Sequence, residues 1–93
     1  MVFSYDLSDE LKEKVKTLTK KDKSLSQQMF KKITEVISRN RESIEFYKNL
    51  RFPMQEFKRV HIGAFVLTFK VYKDRSLIIF DDFDHHDNIY EKK

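Results

Sequence analysis

The sequence predicts an α+β fold in which an N-terminal helical hairpin packs on a small, mainly antiparallel twisted sheet. Residues 7–18 and 25–37 repeat apolar side chains every three to four positions, as amphipathic helices do. From Phe57 the pattern changes to an alternation with a period of two, followed by a near-continuous apolar run at residues 77–83, and both predict strands. The only glycine, Gly63, lies between two strand segments and predicts the turn that joins them.

The first helix is predicted to follow a short strand at residues 2–5. Ser8 can accept a backbone hydrogen bond as its N-cap, and Asp9 and Glu10 lie in its first turn, where the helix dipole favours negative charge. We expect this helix to end within residues 20–23. Its apolar stripe consists of Leu7, Leu11, Val15 and Leu18.

The second helix is predicted to begin at Ser24 and to run to Arg39 or Asn40. Ser24 and Gln27 have the spacing of a capping box. Because only a short lysine-rich turn separates the two helices, they should form an antiparallel hairpin whose apolar stripes share one surface. One or two further helical turns are predicted within residues 43–50, before Pro53.

Three antiparallel strands are predicted to follow. In residues 57–62, Arg59 and His61 lie on one face, with Val60 and Ile62 on the other. Beyond a turn at residues 63–64, one face of the next strand is predicted to lie beneath the helices, namely Phe65, Leu67, Phe69 and Val71. A second hairpin turn at residues 73–76 leads into an apolar run at 77–83, which predicts a central strand. The face away from the helices would carry Arg59, His61 and Lys70, left for a partner.

Size and composition limit the classes of protein. With 93 residues, we expect a single domain over residues 1–93. The sequence has no cysteine, which excludes disulfides and thiolate zinc sites and favours a reducing compartment, so we expect a cytoplasmic protein. No apolar stretch approaches the ~20 residues that span a bilayer, so we expect no membrane insertion and no export. A net charge of +4 favours nucleic acid or an acidic protein as the partner.

All three histidines, His61, His85 and His86, lie in the last third of the chain with Tyr90. Imidazole changes charge near neutral pH, so proton-transfer groups are expected in this region. If residues 83–90 are extended, His85 and His86 point to opposite sides, and at most one faces a given site. The alternatives are a surface histidine pair bonded to neighbouring aspartates, a solvated His61, and a Tyr90 ring that only packs the chain end.

Two charged groups of residues allow a second interpretation. Residues 81–87 contain four aspartates and two histidines, which are metal-binding side chains, but successive side chains on an extended strand diverge, so we expect no metal site. The helix lysines can bind nucleic-acid phosphates or form an ordinary solvated face. These lysines are Lys12, Lys16, Lys20, Lys31 and Lys32.

Two motifs of the sequence resemble the RelE/ParE toxin superfamily. They are Arg59-Val-His-Ile-Gly63-Ala-Phe65 in the strand pair and His85-His-Asp-Asn-Ile-Tyr90 at the chain end. The order of a helical hairpin followed by strands extends the resemblance over essentially the whole chain. The ending is similar in particular to an archaeal RelE-like branch, whose members end in Asp-His-His-Asp and in Ile-Tyr or Val-Tyr.

The resemblance implies a RelE-like fold and the toxin of a type II toxin-antitoxin pair. Toxins of the RelE branch enter the ribosomal A site and cut messenger RNA there without a metal, so the resemblance implies a ribosome-dependent endoribonuclease with no cofactor. The implied partners are a cognate antitoxin, which wraps such toxins with helices or a strand, and the ribosome with its messenger RNA.

The resemblance also implies roles for single residues. Arg59 matches a basic strand residue that helps to hold the phosphate, and Tyr90 matches a tyrosine that stacks on or assists the RNA in some members. His85 matches the histidine that opens the terminal motif, and His86 stands where many members have arginine. The implied catalytic set is therefore His86, His85, Arg59 and Tyr90.

One position departs from the pattern of the superfamily. Val66 stands where many members carry an arginine that reaches the scissile phosphate. Lys58, His61 and Lys70, together with Arg59, are therefore expected to bind the RNA in its place. The alternative is a non-catalytic module of the same fold, either a gyrase inhibitor of the ParE type or a degenerate toxin that only binds its antitoxin.

Overall fold

Four strands and three helices make up residues 3–91, which are the residues described by the computed structural model. The elements are β1 (Ser4–Leu7), α1 (Asp9–Lys21), α2 (Lys23–Ile37), β2 (Lys58–Ile62), β3 (Phe65–Tyr72), β4 (Leu77–His85) and α3 (His86–Glu91). Short 3-10 turns lie at Ser43–Phe46 and Lys73–Arg75. The predicted α+β fold, with its helical hairpin and small sheet, is confirmed. None of the helices in this part of the chain is long and apolar enough to cross a membrane.

The sheet has the strand order β1-β4-β3-β2. β1 runs parallel to β4, and the other two pairings are antiparallel, so the sheet is mainly antiparallel as predicted. The β2–β3 hairpin closes with Ile62 opposite Phe65. Gly63 turns the chain there with φ of 59°, a backbone angle that glycine adopts at little cost.

Side-chain caps fix the start of both long helices. Ser8 Oγ accepts a hydrogen bond from the Leu11 amide at 3.1 Å, which confirms the predicted N-cap of α1. The capping box predicted at Ser24 is wrong, because Asp22 caps α2 and accepts from the Leu25 amide at 3.0 Å. A single residue, Asp22, thus joins the two helices, and Ser24 falls inside the first turn of α2. This helix ends at Ile37, two residues before the earliest predicted end.

The first strand lies later in the chain than predicted. It was expected at residues 2–5, of which Val2 lies outside the described residues, and the structure places β1 at Ser4–Leu7. Phe3 precedes it as a buried core residue whose amide donates to the Ile37 carbonyl at 3.1 Å. Pairing with β4 sets the register, because the Ser4 amide bonds to the Ser76 carbonyl where β4 begins.

The core lies between the two long helices and one face of the sheet. Both predicted helical stripes turn inward, and the aromatic rings of the strands pack beneath them: the Phe69 and Phe80 ring centroids are 5.6 Å apart. An irregularity in β4 places Asp81 between the residues that pair with Phe69 and Thr68. This extra residue changes the alternation, so that Phe80 and Phe83 both join the core despite their odd spacing.

The sheet face away from the helices is less open than the sequence suggested. Val66 and Thr68 lie on it, and both are buried. The chain end, expected to be extended, forms α3 instead, and α3 packs against β3 and β4 with Ile89 buried. This face therefore forms the floor of a recess rather than a flat surface.

An ionic cluster closes the edge of β4 beyond its pairing with β1. Lys14 Nζ lies 2.6 Å from Asp82 Oδ1 and 3.1 Å from Asp84 Oδ2. The same two carboxylates accept the amides of the residues that follow them, Phe83 at 2.9 Å and His85 at 2.7 Å. Burial alone would lower the pKa of Lys14, but its hydrogen bonds to both aspartates outweigh this, and its pKa is raised.

Replacing Lys14 by methionine should destabilise the chain by about 2 kcal/mol, because it removes the ammonium group bound to the buried Asp82 carboxylate. The matched control is Lys16→Met on the same helix, where both partners of the Lys16–Glu13 pair are well exposed. The control should change the free energy of unfolding by no more than about 0.5 kcal/mol. Urea unfolding measures both, and equal effects would contradict a specific role for the cluster.

Acid should weaken this edge over a defined pH range. Burial opposes ionisation of Asp84, but hydrogen bonds from Asn88, Lys14 and the His85 amide outweigh it and lower its pKa to about 2. An unfolded aspartate has a pKa of about 3.9, so the stabilisation is complete above about pH 5 and is lost as the pH falls toward 2. Asp84→Asn should therefore unfold about 1 kcal/mol more easily at pH 7, and this difference should vanish only below the folded-state pKa of about 2. A difference in urea midpoint that is independent of pH would contradict this.

Candidate RNA-binding and catalytic site

A cavity of about 540 Å³ opens where the end of α3 faces β2 and the segment before β2. It is lined by Leu50, Arg51, Phe52, Pro53, Met54, Arg59, His61, His86, Ile89 and Tyr90. Two arginines and two histidines contribute to this lining, and none of the described lining residues is acidic. A cavity of this size and charge suits a small anionic group attached to an apolar one.

Four of the residues singled out from the sequence meet in this cavity. Arg59 Nη1 donates to Tyr90 Oη at 2.7 Å, and the Arg59 guanidinium carbon lies 5.6 Å from the centre of the Tyr90 ring. The His86 ring centroid lies 4.5 Å from that of Tyr90 and 5.9 Å from that of His61. Two imidazoles, a phenol and a guanidinium thus form one connected group from β2 and α3.

The structure separates His85 from His86. β4 ends at His85 and α3 begins at His86, so the backbone changes direction between them. His85 lies against Phe65, with the ring centroids 5.8 Å apart, and its Nδ1 accepts the Asp87 amide at 3.2 Å. His86 lines the cavity, and its Nδ1 is 3.4 Å from Asp87 Oδ1. His86 is therefore the histidine of this pair that faces the candidate site.

Two of the predicted RNA-binding lysines do not line the cavity. Lys58 is on the core face of β2 and is 8% exposed, so it does not lie beside Arg59 as expected. Its ammonium group binds the Tyr47 carbonyl, Asn49 Oδ1 and Glu45 Oε1 at 3.0–3.1 Å. Strand alternation explains this, because neighbouring side chains point to opposite faces.

Lys70 belongs to the sheet face of Arg59 but lies away from the cavity. Its ammonium group is 3.8 Å from Glu56 Oε2 and 5.3 Å from the centre of the Tyr72 ring. Lys58, in turn, is paired with Glu45, whose pKa is lowered by hydrogen bonds from Lys58 and Lys73. Both predicted lysines are thus paired with carboxylates in the structure.

Residues 50–54, hereafter the rim loop, contribute a wall of the cavity that the sequence did not indicate. The loop brings Arg51, a cation, and Phe52, an exposed ring, to the cavity. Two backbone hydrogen bonds shape it: the Leu50 amide bonds to the Phe57 carbonyl, and within the loop the Met54 amide bonds to the Arg51 carbonyl, both at 2.8 Å. The loop has no periodicity, and the only signal was an arginine and a phenylalanine side by side before a proline.

Val66 explains how the cavity differs from the pattern of the superfamily. Its side chain is fully buried, and its neighbours across the strands are His61 and Asp84. α3 packs on this part of β3. Val66 does not line the cavity, whereas Arg51 brings a cation to it from another part of the fold.

Two aspartates of the acidic segment at residues 81–87 stabilise the edge of the sheet. Asp82 and Asp84 bind backbone amides and Lys14, as described above. Among residues 3–91, no group of three or more histidine, aspartate or glutamate side chains is arranged to hold a metal ion.

Comparisons with known proteins identify a relative and similar folds. The chain is 41% identical over 93 residues to a protein of Methanocaldococcus jannaschii described as "Putative toxin RelE4", and the match covers 99% of this chain and 95% of that protein. No family model matches the chain.

Two solved structures share the fold at low sequence identity. The crystal structure of the isolated Escherichia coli RelE toxin has a TM-score of 0.71 and 16% identity, and the match covers 89% of this chain and 83% of that chain. The toxin-antitoxin complex RelBE2 from Mycobacterium tuberculosis contains a chain with a TM-score of 0.73 and 13% identity. That match covers 92% of this chain and 100% of the other.

Introducing the arginine that is common in the superfamily at position 66 should disrupt the fold rather than complete the site. Val66→Arg would force a charge into a fully buried position and should cost about 3 kcal/mol or more. The control is Ala64→Arg, which adds the same charge at an exposed turn residue and should change stability by about 0.5 kcal/mol or less. Thermal and urea unfolding measure both. A Val66→Arg chain as stable as the native one would show that α3 readily moves aside.

Proposed function

Because this chain belongs to the RelE family of the RelE/ParE toxin superfamily, we propose that it is a ribosome-dependent endoribonuclease that cleaves messenger RNA in the A site without a metal. The observation that carries the proposal is the convergence of Arg59, His61, His86 and Tyr90 on one cationic cavity. We propose in addition that a cognate antitoxin neutralises this toxin, and the RelBE2 neighbour is a complex of that kind.

RNA cleavage by attack of a ribose 2′-hydroxyl on the adjacent phosphate requires two proton transfers. The 2′-oxygen bonds to phosphorus as it gives up its proton, and the bond from phosphorus to the 5′-oxygen breaks as that oxygen gains a proton. His86 is the first candidate for one of these transfers, since it lines the cavity and is an imidazole. His61, whose ring centroid is 5.9 Å from that of His86, would serve the other.

The cations would stabilise the phosphate in the transition state. A guanidinium has five N–H donors, so Arg59 can bind a phosphate oxygen while it also holds Tyr90. Arg51 enters the same cavity from the rim loop and supplies a second positive charge. Tyr90 offers a ring to the base or the ribose of the substrate. Together these groups replace the cation that Val66 does not provide.

The alternative is a toxin-fold module that binds its antitoxin, or gyrase, without cutting RNA. Val66 favours this alternative, because many superfamily members place a phosphate-binding arginine there and this chain buries an apolar side chain. A measurement of RNA cleavage, rather than of binding to a partner, distinguishes the two functions.

Primer extension on a messenger RNA in a translating extract tests the proposal, with purified native chain, His86→Ala and His85→Asn. Native chain should produce stops inside codons at the A site, and these should vanish when translation is blocked. His86→Ala should lower cleavage by at least about 100-fold, as expected for loss of a general acid or base.

His85→Asn is the matched control, because asparagine keeps an acceptor for the Asp87 amide and His85 lies outside the cavity. It should retain cleavage within about threefold of the native chain, since no proton-transfer group changes. Equal loss in both histidine variants would contradict the assignment of His86. Absence of stops with native chain, together with tight binding of the antitoxin, would favour the non-catalytic alternative.

A further inference from the structure

Phe52 is an aromatic residue that the fold does not use. It is 84% exposed, more than any other large hydrophobic residue in the described part of the chain. Phe46 is similarly exposed at 76%, but it does not line the cavity, whereas Phe52 does. An isolated exposed ring needs no explanation by itself, but this ring stands at the edge of a cavity that contains two arginines.

The rim loop presents Phe52 from a fixed backbone. Besides the two hydrogen bonds at Leu50 and Met54, Asn49 Nδ2 donates to the Gln55 carbonyl at 2.8 Å, which closes the loop across its base. The buried Leu50 side chain anchors one end. Lys58, which binds the carbonyl of Tyr47 and the side chain of Asn49, fixes the preceding segment. The ring therefore stands on a supported loop.

The lining of the cavity combines two kinds of chemical group, apolar surface and positive charge. Phe52 and Pro53 with buried Ile89 supply apolar surface, and Arg51 and Arg59 supply positive charge. A nucleotide has two parts that match these groups, a flat base and an anionic phosphate. Single-stranded RNA is bound in this way in general, with bases stacked on aromatic rings and phosphates on cations.

We propose that Phe52 is a stacking platform for one nucleobase of the RNA, next to the phosphate that Arg51 and Arg59 hold. The proposal rests on the proposed function for the identity of the ligand, and it adds a residue that positions the substrate. Stacking on an aromatic ring tolerates every base, so Phe52 would supply affinity and alignment more than choice of sequence.

A single tryptophan can report the stacking, since the chain has none of its own. Phe52→Trp and, as the control, Phe46→Trp are titrated with a short single-stranded oligoribonucleotide that carries 2′-O-methyl groups and cannot be cut. The emission of Trp at position 52 should be quenched on binding, and that of Trp at position 46 should not change. Equal quenching in both variants, or none at position 52, would overturn the proposal.

Affinity measurements give an independent test. Phe52→Ala should weaken binding of the oligoribonucleotide by about 5- to 100-fold. Phe52→Tyr, which keeps an aromatic ring, and Phe46→Ala should both bind it as tightly as the native chain does. Removing single bases in turn from the oligoribonucleotide should, at one position, weaken binding to the native chain but not to Phe52→Ala. If every base removal costs both chains the same, the ring contacts no base, and the proposal is overturned.

The outcomes separate this proposal from the proposed function. If native chain produces A-site stops and Phe52→Ala produces them equally, with unchanged RNA affinity, the nuclease stands and the stacking platform is wrong. If native chain produces no stops but stacking is observed, the cavity binds RNA without cutting it. If Phe52→Ala weakens only the binding of the antitoxin, the rim loop is a protein contact and the proposal is overturned.

Discussion

As far as Phe80, strand β4 pairs with β1 on one side and with β3 on the other. Beyond this point, within residues 3–91, it pairs with β3 alone. Such an edge presents backbone amides that require partners. Asp82 and Asp84 bind the amides that follow them, and Lys14 of α1 joins the two carboxylates. Asp84 also accepts a hydrogen bond from Asn88 of α3 at 3.0 Å. One edge thus ties the first helix and the last helix to the sheet.

The position of α3 determines the candidate site. Because the chain leaves β4 at His85 and turns at once into a helix, His86, Ile89 and Tyr90 are carried over the sheet face that holds Arg59. Ile89 is buried there, so it helps to hold the helix in place. The carboxylates of Asp82 and Asp84 lie at the sheet edge and the two arginines line the cavity, a separation of charge that favours an anionic ligand in the cavity.

Much of the site could be read from the sequence because it lies on a regular strand. Arg59 and His61 share a face in any strand through residues 58–62, and alternation alone puts Lys58 on the other side. The ion pairs of Lys58 with Glu45 and of Lys70 with Glu56 had no signal in the sequence, because both glutamates lie outside the strands. Arg51 and Phe52 were missed for a related reason: a loop without periodicity gives no indication of which surface it will face.

Sequence alone determined the elements whose signals are local. Apolar spacing set the two helices, Ser8 set the start of the first, and Gly63 set the strand turn. Tertiary structure decided which histidine faces the cavity, because that depends on where β4 ends against β3 and α1. It also decided that Val66 is buried, since α3 and β3 are separated in the sequence by β4 and meet only when the chain end folds back onto the sheet. Local patterns fix backbone periodicity, whereas the composition of a site depends on contacts between segments that no pattern links.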